Sequence, residues 1–267
     1  MRLPPSRIFP ATLALASAVF LLATSLTAGG NPPGFPPFAN GEFTPAGLGP
    51  KEPDLLIDFP GGAATRGIVK GSAMLSVLVG ADGKAVDYLV ISCTDIAFGK
   101  KLLDQAQGVT FQAGKYKGVA VPARFNLGYT FNSKNAAVNP MDAARHRMED
   151  TTGVKMDYAA VAEKDIDQSL EFVSVALPPL PAGYPTTGKT PVKVFVTFYV
   201  DEDGHARVPN VESAASPELI SGAIAAVRQW VLKPVTVKGK PALVFTGRAV
   251  RFIVPEPAAA PAAGAAK

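Results

Sequence analysis

One cysteine, one tryptophan and two histidines are all that 267 residues provide of those types. Cys93 has no cysteine partner, so no intramolecular disulfide and no cysteine-built zinc site can form. It reads as a small buried apolar residue at a strand end. His146 sits in the polar stretch "ARHRMED" and His205 follows a turn glycine. Neither has the spaced partners that a metal site or a histidine-based triad requires. No glycine-rich phosphate loop is present. "DEDG" at 201–204 lacks the later glutamate of a calcium loop, and a hairpin turn accounts for it. Charge of one sign is also lacking: 26 basic residues face 22 acidic ones. Two of the basic residues, Arg2 and Arg7, fall at the extreme N-terminus. That near balance argues against nucleic acid or an anionic membrane surface as partner. The expectation is a protein without catalytic activity, metal or cofactor.

What is abundant is apolar: 48% of the residues, enough for a packed core. The first 29 residues have a basic start, an apolar run at 11–28 and a small-residue exit, "TAGG". This is the layout of an export signal. The run is long for a cleaved signal and short for a membrane span, so cleavage near Ala28 and retention as a single anchor are both open. In either case the bulk of the chain is expected outside the cytoplasm, in the periplasm, touching the membrane only through a retained anchor. Residues 30–53 are rich in Pro and Gly and read as a linker. Stretched out, it reaches only about 80 Å at ~3.4 Å per residue.

The chain repeats itself. Gly83 and Gly204, Ser92 and Ser213, Gly118 and Gly239, and Phe131 and Phe252 all share one offset across some fifty ungapped residues. So long a period means two copies of a domain. Each copy opens on an alternating run, Leu75, Val77 and Val79 or Val192 to Val200, whose period of two predicts a half-buried strand. An Asp-Gly turn follows, suited to a tight hairpin, and then a second strand. Pro209 in the second copy cannot donate to a ladder and marks an edge or a bulge. A helix comes next, capped by Asp95 in copy one and by Ser216 with Pro217 in copy two. Phe98, Leu102, Leu103 and Ala106 form its apolar stripe in the first copy; Leu219, Ile220, Ala223, Ile224 and Val227 form it in the second. Trp230 closes the second stripe and is expected in the core. A last strand lies near 119–131 and 240–254.

The expected fold class is therefore α+β: two tandem small domains, each a three-stranded antiparallel sheet (β-β-α-β, order 2-1-3) with a helix packed on one face. The third strand is then an edge with unpaired backbone groups. The expected organisation is a signal or anchor at 1–29, a linker at 30–53, copy one at 54–132, a partly helical connector at 133–173, copy two at 174–255 and an Ala/Pro tail at 256–267. Within the connector, "NPMDAARHRMED" and "DYAAVAEKDIDQSL" each predict a helix.

The second copy resembles the C-terminal domain of the TonB family. The resemblance is carried by "GYP" at 183–185, "VKVFVTFYVDEDGHARVPNVESA", "AVRQWVLKP" at 226–234, "VKGKPA" at 237–242 and "VRF" at 250–252. Leu232 stands where the family usually has Phe. The first copy resembles the family's opening run in "DFPGGAATRGIVKGSAMLSVLV", with Val109 in place of Trp and Ala113 in place of Pro. The resemblance implies a periplasmic domain that takes an extended segment of another protein, such as an outer-membrane TonB-dependent receptor, against an edge strand. The partner-binding residues it implies are Tyr184, Pro185, Val244, Thr246, Arg248, Val250 and Phe252. Strand addition of this kind draws affinity from backbone bonds and specificity from alternate side chains. The apolar run at 11–28 lacks the histidine through which TonB couples to its motor. The other reading is a structural or scaffolding envelope protein whose domains pair with each other or self-associate, which predicts edge strands already covered in the free chain.

Overall fold

A computed structural model of the chain describes residues 31–50, 57–133, 156–184 and 191–254. In chain order the strands are β1 (Phe43–Thr44), β2 (Gly47–Leu48), β3 (Lys70–Val79), β4 (Ala85–Cys93), β5 (Phe111–Gln112), β6 (Gly114–Tyr116), β7 (Val119–Val121), β8 (Ala123–Asn132), β9 (Tyr158–Ala159), β10 (Val161–Ala162), β11 (Phe172–Ser174), β12 (Lys193–Val200), β13 (Ala206–Val211), β14 (Val231–Leu232), β15 (Thr236–Val237), β16 (Lys240–Pro241) and β17 (Val244–Arg251). The helices are α1 (Gly61–Thr65), α2 (Ile96–Ala106) and α3 (Pro217–Val227). The molecule is mixed α+β, mostly strands with few helices, in several small and largely antiparallel sheets.

The two main sheets have four strands each, in the orders β8-β3-β4-β9 and β10-β17-β12-β13. This differs from the three-stranded sheets expected from the sequence. The long strands do stand with the first of each set in the middle. The fourth strand comes in both cases from the connector. The expected helix over 157–170 is instead β9, β10 and a single 3-10 turn, Glu163–Asp165. Tyr158, Ala160, Val161, Ile166 and Leu170 of this segment all pack against a core while its backbone bonds to waiting sheet edges, and that wins over local helical preference. The other expected connector helix, the signal segment and the C-terminal tail lie outside the described residues.

Local chemistry accounts for the shared elements. Asp95 caps α2 by accepting from the Ala97 N–H at 2.9 Å, and Ser216 caps α3 by accepting from Leu219 N–H at 3.4 Å. Phe98, Leu102 and Ala106 of α2 pack on Ala73, Leu75, Val77 and Val79 of β3. Leu219, Ile220, Ala223, Ile224 and Val227 of α3 pack on Val194, Val196, Phe198 and Val200 of β12. Each of these larger side chains contributes about 1.5–3 kcal/mol by leaving water. Pro209, expected at an edge or a bulge, stands at both: β13 is the outer strand of its sheet, and Thr197 pairs with Asn210 and Tyr199 with Arg207, so Val208 and Pro209 together face Phe198. Val208 adopts φ 39° there, a rare conformation for a β-branched residue. Lys117–Gly118 and Lys238–Gly239 form hairpin turns at matching places in the two copies, with φ 49° and 82° in the first and 53° and 73° in the second. Two successive positive φ values define the tight type I′ turn.

The repeat extends further upstream than the sequence comparison reached. β2 pairs with β5 in the first unit as β11 pairs with β14 in the second. Glu42 binds the first Lys-Gly turn, its carbonyl accepting from Lys117 N–H at 2.7 Å and its carboxylate meeting the Lys117 ammonium at 3.2 Å. Asp167 binds the second turn by accepting from the N–H groups of Lys238 and Gly239, both at 2.9 Å. Those two backbone donors, Gly239 first, hold the Asp167 carboxyl below its ordinary range.

The first unit has a core of its own, and a second core runs across both units. Leu78, Leu89, Ile91, Tyr116 and Val121 of the first unit belong to the same apolar cluster as the α3–β12 packing of the second. β13 lies across the helix-free face of the first sheet, reaching β8, β3 and β4. β3 is therefore buried on both faces along most of its length.

Candidate interaction edge

The outer side of β17 is the element on which sequence reasoning placed a partner. Alternation turns Val244, Thr246, Arg248, Val250 and Phe252 to the same face, the one that carries α3. Val244, Thr246, Val250 and Phe252 are buried among the chain's own residues, and only Arg248 is partly open. These side chains hold the sheet to its helix: the Phe252 ring reaches Gly222 of α3. Ala249 and Arg251 are the exposed side chains of the strand. Tyr184 is half-buried against the second core, in a turn closed by its N–H donating to the Pro181 carbonyl at 3.1 Å. Pro185 lies outside the described residues.

The backbone edge is occupied at both ends by the chain itself. At the upper end β10 pairs with it in parallel, Val161 beside Val244 and Ala162 beside Phe245, and Val161 N–H donates to the Leu243 carbonyl at 2.9 Å. At the lower end Ile253 N–H donates to the Pro178 carbonyl at 3.0 Å, and Leu180 N–H to the Ile253 carbonyl at 2.7 Å. Between them, residues 247–251 pair with β12 on one side and with no strand on the other among the described residues.

A charged latch follows β10. The Glu163 carboxylate takes two bonds from the Arg248 guanidinium, at 2.8 and 2.6 Å, and one from the Thr246 hydroxyl. The Arg248 pairing is the main reason its carboxyl is held below the usual range; burial opposes it and the Thr246 bond adds to it. Arg248 in turn lies over the Phe172 ring at 5.8 Å, and Phe172 meets Trp230 edge-on at 5.4 Å. Trp230 is buried as anticipated, its indole N–H donating to the Ala176 carbonyl at 2.8 Å.

The same connector closes the other sheet. Immediately before β10, β9 pairs with β4, Tyr158 beside Cys93 and Ala159 beside Ser92. Ala160 N–H then donates to the Ile91 carbonyl at 2.8 Å. Residues 158–163 thus staple the edge of one sheet to the edge of the other. Tyr158 also donates its hydroxyl to Glu202 of the second unit at 2.7 Å; burial first, then that bond, raises its pKa. Cys93 beneath the staple is fully buried, and burial pushes its thiol up to about 11.

Polar clamps complete the junction between the units. Arg207 of β13 grips the Asp87 carboxylate of β4 with two bonds, at 2.9 and 2.6 Å, and donates to the Tyr88 carbonyl at 3.1 Å and to Asp201 at 3.2 Å. The Asp87 bonds are the chief cause that raises its pKa further. Arg124 of β8 is nearly buried. It donates to Thr197 at 3.0 Å and Glu212 at 3.4 Å and lies over the Tyr199 and Phe245 rings at 5.5 and 5.2 Å. Its backbone N–H donates to the Asn210 side chain at 3.0 Å.

Sequence reasoning missed Val161, Ala162 and Glu163 because two-residue strands carry no period. It missed Asp87, Arg124 and Arg207 because nothing local marks a charge whose partner lies in the other copy. Among the described residues, no helix is long and apolar enough to cross a membrane. No family model, curated protein or solved structure matches the chain.

Proposed function

We propose that this protein is a non-catalytic scaffold of the bacterial cell envelope, exported to the periplasm. In this reading it is built from two tandem domains resembling the TonB C-terminal domain that are locked against each other. The observation that carries the reading is the connector staple: residues 158–163 cover part of the β17 edge, through which such a domain would take a partner strand, and tie it to the outer edge of β4. The shared apolar core and the Arg207 and Arg124 clamps support it, since a freely jointed pair of binding modules needs neither.

A second reading, binding of an extended receptor segment by strand addition, draws on one specific feature. β10 covers only two residues of β17, and residues 247–251 keep an edge that a partner strand can use. Native-state amide exchange separates the two. In a scaffold, the Ala160 and Val161 amides exchange as slowly as those in the middle of β12, by global unfolding. Exchange faster by several orders of magnitude, together with saturable binding of an extended peptide that slows Ala249 and Arg251 exchange, would reject the scaffold in favour of the binder.

A further inference from the structure

Phe172, Val173, Val175 and Leu177 expose apolar surface in one short run, and Ile253 and Val254 add to it beside the Pro179–Ile253 bridge. The run is held from within. Phe172 packs on Trp230, and Ala176 accepts the indole N–H. That leaves Val173, Val175 and Leu177 alternating toward solvent, 65%, 45% and 44% exposed. β11 pairs with β14 on one side and with no strand on the other among the described residues. A rigid, apolar, unpaired edge is the feature that soluble proteins blunt with charge unless it is used.

The chemistry of the run selects its occupant. Residues 172–183 carry no charge, and Glu171 just before them is ion-paired with Lys233 of its own chain. A charged peptide finds no complement here. The chain's own C-terminal tail begins beside the patch, but Pro255, Pro257 and Pro261 remove the N–H groups a ladder needs. The run is complementary to itself. An antiparallel pair centred on Val175 sets Val175 opposite Val175 and Val173 opposite Leu177 twice. All of them point to one face, and no charge opposes another.

We propose that residues 172–177 form a two-fold interface that pairs antiparallel with the same segment of a second copy of this chain. Such an interface is isologous and closes after two copies. Pro178 and Pro179 end the strand and keep the pairing from growing. A single strand pair covers less than the about 800 Å² per partner of a stable complex, so the dimer is reversible. The proposal goes beyond the scaffold reading, because pairing here leaves the 158–163 staple untouched.

Sedimentation velocity on the full chain over a concentration series tests it. The wild-type protein is expected to shift from one chain to two as concentration rises. Val175→Lys sets two like charges opposite each other and is expected to hold the protein at the mass of one chain, with an unchanged circular dichroism spectrum. Val175→Cys is expected to form an intermolecular disulfide without added cross-linker. Cross-strand Cα atoms stand about 4.5–5.5 Å apart, within disulfide reach, and Cys93 is buried and cannot compete. A wild-type protein that stays at one chain throughout overturns the proposal and leaves the strand to a different protein. A dimer unmoved by Val175→Lys, or a Val175→Cys protein that does not cross-link, overturns it in favour of another surface. In every case amide exchange at Ala160 and Val161 reports separately on the staple.

Discussion

If Arg207 clamps the two units together, replacing it with Met should weaken the whole molecule and not β13 alone. The Arg207 side chain is 31% exposed and that of Asp87 17%. Breaking a fully buried pair costs about 3–5 kcal/mol, while an exposed pair is worth about 0–1 kcal/mol. The Arg207–Asp87 clamp lies between these limits, and its bidentate geometry favours the upper part. Arg207→Met is therefore expected to cost about 2 kcal/mol, and Asp87→Leu a similar amount, since each strands the other's charge. For a chain of this size 1 kcal/mol moves the midpoint by about 2–4 °C, so each single variant should melt roughly 4–8 °C lower. The double variant strands only Asp201, as Arg207→Met already does, and should lose little more than that single variant. The coupling energy of the cycle then comes to about 1.5–2 kcal/mol. Calorimetry or urea unfolding of the four proteins measures it. Strict additivity, with coupling below about 0.5 kcal/mol, would refute the view that these residues hold one unit to the other.

Three further outcomes follow from the same geometry. The Glu163 carboxyl is held below its ordinary 4.5 by Arg248, so the stability it lends β10 is fully present above that pH and is lost as pH falls through the lowered folded value. Protection of the Val161 amide, its slowing relative to the unfolded chain, should fall on acidification below about pH 4.5, and Glu163→Gln should remove that fall; an unchanged protection profile would count against the latch. A Cβ at Gly204 would meet the Leu232 carbonyl oxygen at 2.1 Å with φ at +89°, whereas one at Gly118, φ +82°, meets nothing. Gly204→Ala should thus cost well over the roughly 1 kcal/mol expected of Gly118→Ala, read as unequal shifts in the urea midpoint. Trp230→Phe keeps the ring but drops the donor to Ala176, and should destabilise by about 1–2 kcal/mol while loosening residues 172–177 in amide exchange.

Much of this protein was set by sequence alone, because the signals are local. Asp-Gly and Lys-Gly turns, the caps at Asp95 and Ser216, the stripes of α2 and α3 and the alternation of β3 and β12 each depend on residues a few positions apart. Pro209 announced an edge or a bulge for the same reason: a missing N–H acts where it stands. What tertiary structure decided is everything that turns on which edge or face is left vacant once those elements assemble. Tyr158 to Glu163 have no period strong enough to choose a conformation, so the open backbone of β4 and β17 chose it for them. Val244, Thr246, Val250 and Phe252 alternate as a ligand-facing edge would, yet their face is the one that α3 covers. Asp87 and Arg207 are ordinary surface charges in sequence and became a clamp only because β13 crosses the first sheet. Hydrogen-bond vacancy and face burial are properties of the assembled sheets, and no window of neighbouring residues contains them.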